Sequence, residues 1–96
     1  RSHIGYAQDF AARVAADGRF ELSAPISLSL VCFRYRGSDE QNRILLDRIN
    51  ATGTAFLSHT VLQGKFVLRL AYGNLRTTPQ DVDAVWESVQ TEATAL

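Results

Sequence analysis

The chain has no methionine, a single cysteine and a single lysine, and it has no apolar run long enough to cross a bilayer. With only Cys32 an internal disulfide is excluded, and this cysteine usage fits a reducing compartment, so we expect a cytoplasmic protein. Basic and acidic residues balance at a formal net charge of zero. Because a general binder of nucleic acid needs an excess of positive charge, we expect no nucleic-acid partner and no membrane partner.

The missing methionine also means that no native start residue is present. The chain opens in a helical pattern, with apolar residues three to four positions apart at Ile4, Ala7, Phe10 or Ala11, and Val14. Only Ser2 offers a weak cap at its start, and Gly18 stands at the C′ position expected for its end. We therefore predict a single domain over residues 1–96 that is a fragment of a longer protein.

Turn signals divide the remainder into strands and helices. Strands are predicted at 20–22, 27–35, 54–62 and 65–72, and helices at 38–51 and from a Thr78 cap onward. Ser38 with Gln41 forms a capping box, and Gln63-Gly64 is a two-residue hairpin turn. This order predicts an α+β fold, with a mostly antiparallel sheet of three to four strands and helices on one face.

Alternation assigns the side chains of each strand to two faces. In the first long strand Leu28, Leu30 and Cys32 share one face, and Ser29, Val31 and Phe33 share the other. Both faces are partly apolar. This pattern favours a central strand, or a sheet whose second face is docked on something.

Arg69 and His59 are the candidate binding residues. A guanidinium inside a strand, as at Arg69, suits bidentate capture of a carboxylate or phosphate. The alternative for Arg69 is an ion pair with an acid at the sheet surface or at a domain interface. His59 lies in mid-strand, where it either bonds a neighbour or faces an active site. We assign both as tentative substrate-binding residues.

Other reactive residue types receive structural interpretations. Lys65 follows a hairpin turn, which indicates a solvated turn residue rather than a buried Schiff-base lysine. Cys32 stands among apolar residues and is predicted to be a small core residue. His3 and His59 have no second ligand at metal spacing. We therefore predict no catalytic residue, no metal site and no cofactor-binding residue in this chain.

Charged residues near the first strand–helix junction are predicted to lie at the surface. Arg34 and Arg36 alternate with Tyr35 at a strand end, which favours a solvated terminus over a small anion site. Asp39 and Arg43 stand four residues apart on the predicted helix. That spacing predicts an ion pair on the exposed side.

Four stretches together resemble a known family: LVCFRYRG, NRILLDRIN, LSHTVLQGKFVLRLAYGN and TTPQDVDAVW. They follow the patterns L-V-x-F-R, L-L-x-x-I-N, H-T-x-x-x-G-x-x-x-L-R and D-V-x-x-x-W, after an opening H-I-x-x-A-x-x-F and F-E-L. In this order they resemble the C-terminal (small) domain of the pyridoxal-phosphate-dependent group II decarboxylases, in the aromatic-L-amino-acid decarboxylase branch. The resemblance runs from His3 to about Val89.

The resemblance implies a parent enzyme of fold type I, usually a homodimer, that removes the α-carboxylate of an aromatic L-amino acid with pyridoxal 5′-phosphate (PLP) as electron sink. In the family the cofactor lysine lies in the large domain, and Lys65 matches a hairpin position instead. The fragment alone is therefore expected to bind no cofactor and to be inactive. Arg69 matches the family's L-R arginine, and in related enzymes a small-domain arginine binds the substrate carboxylate.

The resemblance also gives the sheet a role. The face with Val31 and Phe33 would cover the large domain of the same chain or help to close the active-site cleft. A second hypothesis stays open, namely a stand-alone ferredoxin-like module that binds a ligand or regulates, because a β-α-β-β-α run is close to that plan.

Overall fold

The structure is a computed structural model that describes residues 3–24, 30–53, 57–71 and 79–96. The predicted strand residues 27–29, 54–56 and 72 and the Thr78 cap lie outside these ranges. The described elements follow in chain order: α1 (His3–Ala16), β1 (Phe20–Leu22), β2 (Leu30–Tyr35), α2 (Asp39–Ala51), β3 (Ser58–Leu62), β4 (Lys65–Ala71) and α3 (Pro79–Thr94).

The four strands form one sheet in the order β1-β2-β4-β3, and every neighbouring pair is antiparallel. This arrangement confirms the α+β prediction and places β2 in the interior of the sheet, as its two apolar faces indicated. The run β2-α2-β3-β4-α3 follows the ferredoxin-like plan. The position that the plan gives to its last strand is taken here by β1, which precedes the run in the chain.

The helices cover the sheet face that carries Val31 and Phe33. In the register Val31 lies opposite Leu70 and Phe33 lies opposite Leu68, and all four side chains are buried in the core. The expectation that the face with Val31 and Phe33 would meet another domain was therefore wrong. Alternation separates two faces correctly, but it carries no information on which of them the helices cover.

An aromatic cluster joins two of the helices to the sheet. Phe10 of α1 packs edge-on against Phe33 of β2, with ring centroids 5.2 Å apart, and against Trp86 of α3 at 5.6 Å. Phe20 of β1 reaches the same indole at 5.4 Å. Edge-to-face pairs of this kind stabilise a core beyond the area that they bury. The apolar stripe predicted on the last helix is confirmed, since it includes Trp86 and points inward.

The turn chemistry read from the sequence is largely confirmed. Ser38 Oγ accepts from the Gln41 backbone N–H at 3.1 Å, and Gln41 Oε1 accepts from the Ser38 N–H at 3.0 Å. Gly53 ends α2 with a φ of +76°. Gln63 and Gly64 both have positive φ, at 53° and 77°, which is the type I′ geometry that suits the twist of a hairpin.

The end of α1 differs from the prediction in its mechanism. Gly18 does stand just beyond the helix, but its φ is not in the left-handed region. The turn is held instead by Asp17. Its carboxylate accepts from the Arg19 backbone N–H at 3.0 Å, and its carbonyl accepts from the Phe20 N–H at 3.1 Å. A side-chain bond to the backbone therefore replaces the glycine conformation that was expected.

Candidate functional site

The sheet face opposite the helices is not covered by any described element, and we call it the open face. By register and alternation it carries these strand residues: Glu21, Leu30, Cys32, Arg34, Ser58, Thr60, Leu62, Lys65, Val67 and Arg69. Three of them are cationic and one is anionic, although the whole chain has no net charge. The open face is therefore a locally positive surface.

Arg69 lies near the middle of the open face. Its β4 position is opposite Cys32 of β2 on one side and Ser58 of β3 on the other. The side chain is exposed, and no ion pair joins it to any residue in the described ranges. The structure thus offers Arg69 as an accessible guanidinium, while the acid proposed to pair with it is absent from the described part of this chain.

Lys65 shares the open face with Arg69 at the hairpin end of β4. It lies opposite Leu62, next to the type I′ turn, and is exposed. This position confirms the interpretation as a solvated turn residue. Arg69 is four positions further along the chain, which corresponds to ~13 Å along β4. Between them Val67 is only 1% exposed, because neighbouring side chains on the same face cover it.

A shallow pocket of about 150 Å³ opens on the same face beside the hairpin. It is lined by Glu21, Leu22, Ser23, Arg34, Leu62, Gln63, Lys65 and Val67. The Ser23 hydroxyl is buried there without a hydrogen-bond partner in the described part of the chain. A buried hydroxyl without a partner costs free energy, so Ser23 is a destabilising feature at this edge of the sheet.

Arg34 is the charged residue whose predicted position at the surface was wrong. It is 6% exposed, and not a solvated strand end. Its guanidinium donates to Asp39 Oδ1 at 3.0 Å and to the carbonyls of Phe66 and Gly37 at 3.3 Å each, and it lies 3.7 Å from Glu21. A usable signal was present in the sequence, since Arg34 is two residues from Cys32 on a central strand, where both neighbouring strands enclose it.

The same contacts correct the predicted ion pair on α2. Asp39 does not pair with Arg43. Its carboxylate accepts from Arg34 and from the Phe66 backbone N–H at 3.1 Å. Arg43 pairs with Glu40 instead, and this pair lowers the pKa of the exposed Glu40 carboxyl and raises that of Arg43. Phe66 lies near the start of β4, and Asp39 accepts its backbone hydrogen bond in place of a strand residue.

His59 belongs to the opposite side of the sheet. It lies on β3, opposite Leu68 of β4, and its side chain is exposed. The imidazole stacks on the ring of Phe66, with centroids 4.7 Å apart and an interplanar angle of 9°. Arg69 lies opposite Ser58, which is the residue before His59 on β3. Since successive residues of a strand point to opposite faces, Arg69 and His59 point to different faces. The structure therefore does not bring the two candidate substrate-binding residues into one site within this chain.

Cys32 is half-buried on the open face and not part of the helix-side core. Its prediction as a core residue was wrong for the same reason as that of Val31 and Phe33, because the covered face could not be identified from alternation. Within the described ranges no group of three or more His, Cys, Asp or Glu side chains is placed to hold a metal ion, and no helix is long and apolar enough to span a membrane.

Two asparagines that the sequence analysis did not weigh hold α2 in place. Asn42 is fully buried. Its Oδ1 accepts from the Tyr35 N–H at 2.7 Å, and its Nδ2 donates to the Tyr35 carbonyl at 3.0 Å. Asn50 binds both backbone groups of Leu57 in the same way, at 2.7 and 2.9 Å. Because Asn50 takes these groups, Leu57 lies outside β3, which begins at Ser58, whereas the prediction had included Leu57 in the strand.

The turn between α1 and β1 carries the strongest electrostatic pair. The Arg19 guanidinium donates to both Asp17 carboxylate oxygens, at 3.2 and 2.9 Å. This hydrogen bonding lowers the pKa of Asp17 to about 2 and raises that of Arg19. The pair lies at the end of the sheet next to α3, since Arg19 also donates to Thr94 Oγ1 at 3.2 Å.

Taken together, the described residues give the two faces of the sheet different characters. One sheet face is covered by three helices. The other exposes two cations that have no ion pair with any described residue, and a buried valine and a polar pocket lie beside them. The sole lysine of the chain stands exposed at a hairpin. Such a surface can bind a complementary partner. Among the described residues, no set of side chains is assembled for proton or group transfer.

Comparison with known proteins finds relatives at about 40% identity over the whole chain. No protein-family model matches the chain. It is 43% identical over 103 residues to tryptophan decarboxylase 2 of Oryza sativa subsp. japonica, and 41% identical over 93 residues to the aromatic-L-amino-acid decarboxylase of Drosophila lebanonensis. The alignments cover 100% and 97% of the chain, but only 21% and 23% of these relatives. The phenylacetaldehyde synthase of Arabidopsis thaliana is 40% identical over the whole chain.

A solved structure extends the likeness to the fold. The crystal structure of Oryza sativa TDC with PLP and tryptamine superposes with a TM-score of 0.93 at 39% identity, over 99% of this chain and 22% of that one. The chain belongs to the PLP-dependent group II decarboxylase family, in its aromatic amino-acid branch, and corresponds to the C-terminal region of those proteins. It spans about a fifth of the length of the relatives that it matches.

Proposed function

We propose that this chain is the small C-terminal domain of a PLP-dependent decarboxylase acting on an aromatic L-amino acid. The observation that carries the proposal is the identity of about 40% over the whole chain to proteins named for that activity. In the parent protein, meaning the longer protein that contains this chain, the bound cofactor would supply the electron sink for loss of the α-carboxylate. A large domain of the same chain would hold it.

The role proposed for the chain itself is structural: it supports the large domain and helps to close the cleft. We propose that it contributes no residue to cofactor binding. Lys65 supports this, because an exposed lysine next to a hairpin turn lacks the desolvated surroundings that make an amine a Schiff-base nucleophile at neutral pH. The fragment alone is accordingly expected to be inactive.

The substrate-binding roles of Arg69 and His59 stay predictions. Their placement on opposite faces means that one substrate bound at this domain would meet only one of them directly. Arg69 is the better candidate of the two for an anion, because its guanidinium is exposed and unpaired among the described residues, while the imidazole of His59 is stacked on Phe66.

The parent's reaction is open to a second outcome. The identity to a phenylacetaldehyde synthase is close to the identity to the decarboxylases, so similarity over this domain does not separate the two activities. The stand-alone ferredoxin-like module is less well supported, because the similarity to much longer enzymes extends over the whole chain. A homodimeric, cytoplasmic parent is proposed from the family resemblance and from cysteine usage.

The test is an assay of the purified parent protein with PLP and each aromatic L-amino acid, measuring carbon dioxide, the amine and the aldehyde. Carbon dioxide with a stoichiometric amine supports the decarboxylase, whereas aldehyde in place of amine supports the synthase. No carbon dioxide from any aromatic amino acid would overturn both. Deleting residues 1–96 from the parent should abolish turnover, and size-exclusion chromatography with light scattering tests the homodimer.

A further inference from the structure

We infer that β3 is a pairing edge for a second copy of this chain, with the two β3 strands antiparallel and Thr60 opposite Thr60 of the second copy. The contact would join two four-stranded sheets edge to edge into one continuous sheet. This inference goes beyond the proposed function. It names a surface for self-association, and it does not depend on the reaction that the parent catalyses.

The two edge strands of the sheet differ in their protection against pairing. β1 has three residues, and the charged Glu21 is in its middle. Short length and charge are devices that keep an edge strand from pairing with another chain. β3 has five residues without a formal charge or a proline, and its register with β4 is unbroken from Ser58 to Leu62. β3 therefore presents an edge that can accept another strand.

The free backbone groups of β3 belong to His59 and Val61. The two-residue type I′ turn at Gln63-Gly64 makes Leu62 and Lys65 a hydrogen-bonded pair. In an antiparallel pair hydrogen-bonded residues alternate with non-hydrogen-bonded ones, so the N–H and C=O of His59 and Val61 point away from β4. No described residue bonds to them. A row of unpaired groups of this kind is a template for strand addition.

The side chains of the same two residues form an uncovered patch beside the edge. Val61 is 63% exposed, and the exposed His59 imidazole stacks on the half-buried ring of Phe66. Both lie on the face that the helices cover further inside the sheet, since His59 is opposite the buried Leu68. Contact of Val61 with a side chain across the edge would remove apolar surface from water, which favours pairing.

The register centred on Thr60 makes a second copy the fitting partner. It places Val61 opposite His59 of the second copy and His59 opposite Val61 of the second copy. Each pair would then supply both the backbone hydrogen bonds and a valine–imidazole contact, as a self-complementary interface requires. The two Thr60 residues would form a non-hydrogen-bonded pair at the centre. Because β3 carries no formal charge, no like charges meet between the two strands.

A cross-link at the centre tests this register. The experiment introduces Thr60→Cys with Cys32→Ala into the parent protein, oxidises with diamide, and measures the disulfide between the two position-60 peptides by mass spectrometry. Facing residues of a non-hydrogen-bonded pair have Cα atoms ~4.5 Å apart, a separation that a disulfide spans. The matched control is Ser58→Cys in the same background, which offsets the two thiols by ~13 Å along the strands. We expect at least about tenfold more linked dimer from Thr60→Cys.

Light scattering over a concentration series measures the association without a cross-link. A contact between two short strands is small, so we expect a Kd on the order of 10 µM. The readout is a doubling of mass with concentration, whether the starting unit is one parent chain or a homodimer. Val61→Lys places a charge at the edge and should raise the Kd about tenfold or more. Thr91→Lys, at an exposed position on α3, is the control and should leave it unchanged.

The outcomes separate this edge contact from other modes of assembly. Excess linkage at position 60, together with weaker association of Val61→Lys, supports the contact whichever reaction the parent catalyses. Assembly that Val61→Lys leaves unchanged, with no excess linkage at position 60, overturns the inference and leaves a homodimer through another surface in place. A mass that stays constant over the whole concentration series overturns it as well. Circular dichroism of Val61→Lys checks that the variant is folded, as the exposure of Val61 leads us to expect.

Discussion

The two faces of the sheet are built from alternate residues of the same strands, yet they have opposite character. On the helix side Phe33 is fully buried and meets Phe10 edge-on. One residue earlier, Cys32 points to the open face and is only half-buried, beside an exposed Arg69. The covered face holds the fold together, and the open face carries two cations that no described residue neutralises.

The comparison shows that two kinds of polar group have different roles here. Asn42 and Arg34 are buried, and each has its hydrogen bonds supplied from within the chain. Lys65 and Arg69 are exposed and have no ion pair among the described residues. Groups satisfied internally stabilise the domain, whereas the unsatisfied cations are available to a partner.

The largest expected effect contrasts two neighbours in β2. Phe33→Ala should lower the free energy of unfolding by ~3–5 kcal/mol, because it opens a cavity among three helices and the sheet. Cys32→Ala should lower it by less than ~1 kcal/mol, because the thiol is half-buried on the open face. Denaturant unfolding of the protein checks both. Equal losses would mean that the open face is packed as tightly as the core.

A second contrast concerns the two asparagines of α2. Asn42→Ala should cost ~2–3 kcal/mol, because Asn42 is fully buried and its loss leaves the Tyr35 N–H without its acceptor. Asn50→Ala should cost only ~1 kcal/mol, because Asn50 is itself half-buried and water can enter the space that its side chain leaves. The same unfolding measurement applies. A larger loss at Asn50 would show that the start of β3 is more dependent on its asparagine than the end of β2.

The smallest effect is a pH dependence at the turn before β1. Hydrogen bonding by Arg19 lowers the pKa of Asp17 from an ordinary value near 3.8 to about 2, so the folded state favours the charged carboxylate. Its stabilisation is complete above about pH 4 and is lost as the pH falls through 2. Asp17→Asn should cost ~1 kcal/mol at pH 7, an effect discounted for partial exposure, and nothing near pH 2.

Unfolding followed from pH 7 to pH 2 gives this difference directly. The control is Glu40→Gln, which removes the fully exposed pair with Arg43 and should leave stability nearly unchanged. A cost of Asp17→Asn that persists at pH 2 would show that its neutral hydrogen bonds to the turn matter, and not its charge.

Much of the local structure was readable from the residues. The capping box of Ser38 and Gln41, the Gln63-Gly64 turn and the stop at Gly53 were all predicted and confirmed. Each depends on groups within a few residues of one another, so short-range sterics and hydrogen bonding decide it. The family, too, was readable, because its motifs fall in order along the whole chain.

The sequence by itself thus determined the elements, their order and the two sets of side chains on each strand. Tertiary structure alone decided that Val31 and Phe33 are covered, that Arg34 is buried, and that Arg69 and His59 lie on different faces. The physical reason is that burial depends on which strand lies beside which. That pairing joins residues more than thirty positions apart, as between β2 and β4, and no local pattern encodes it.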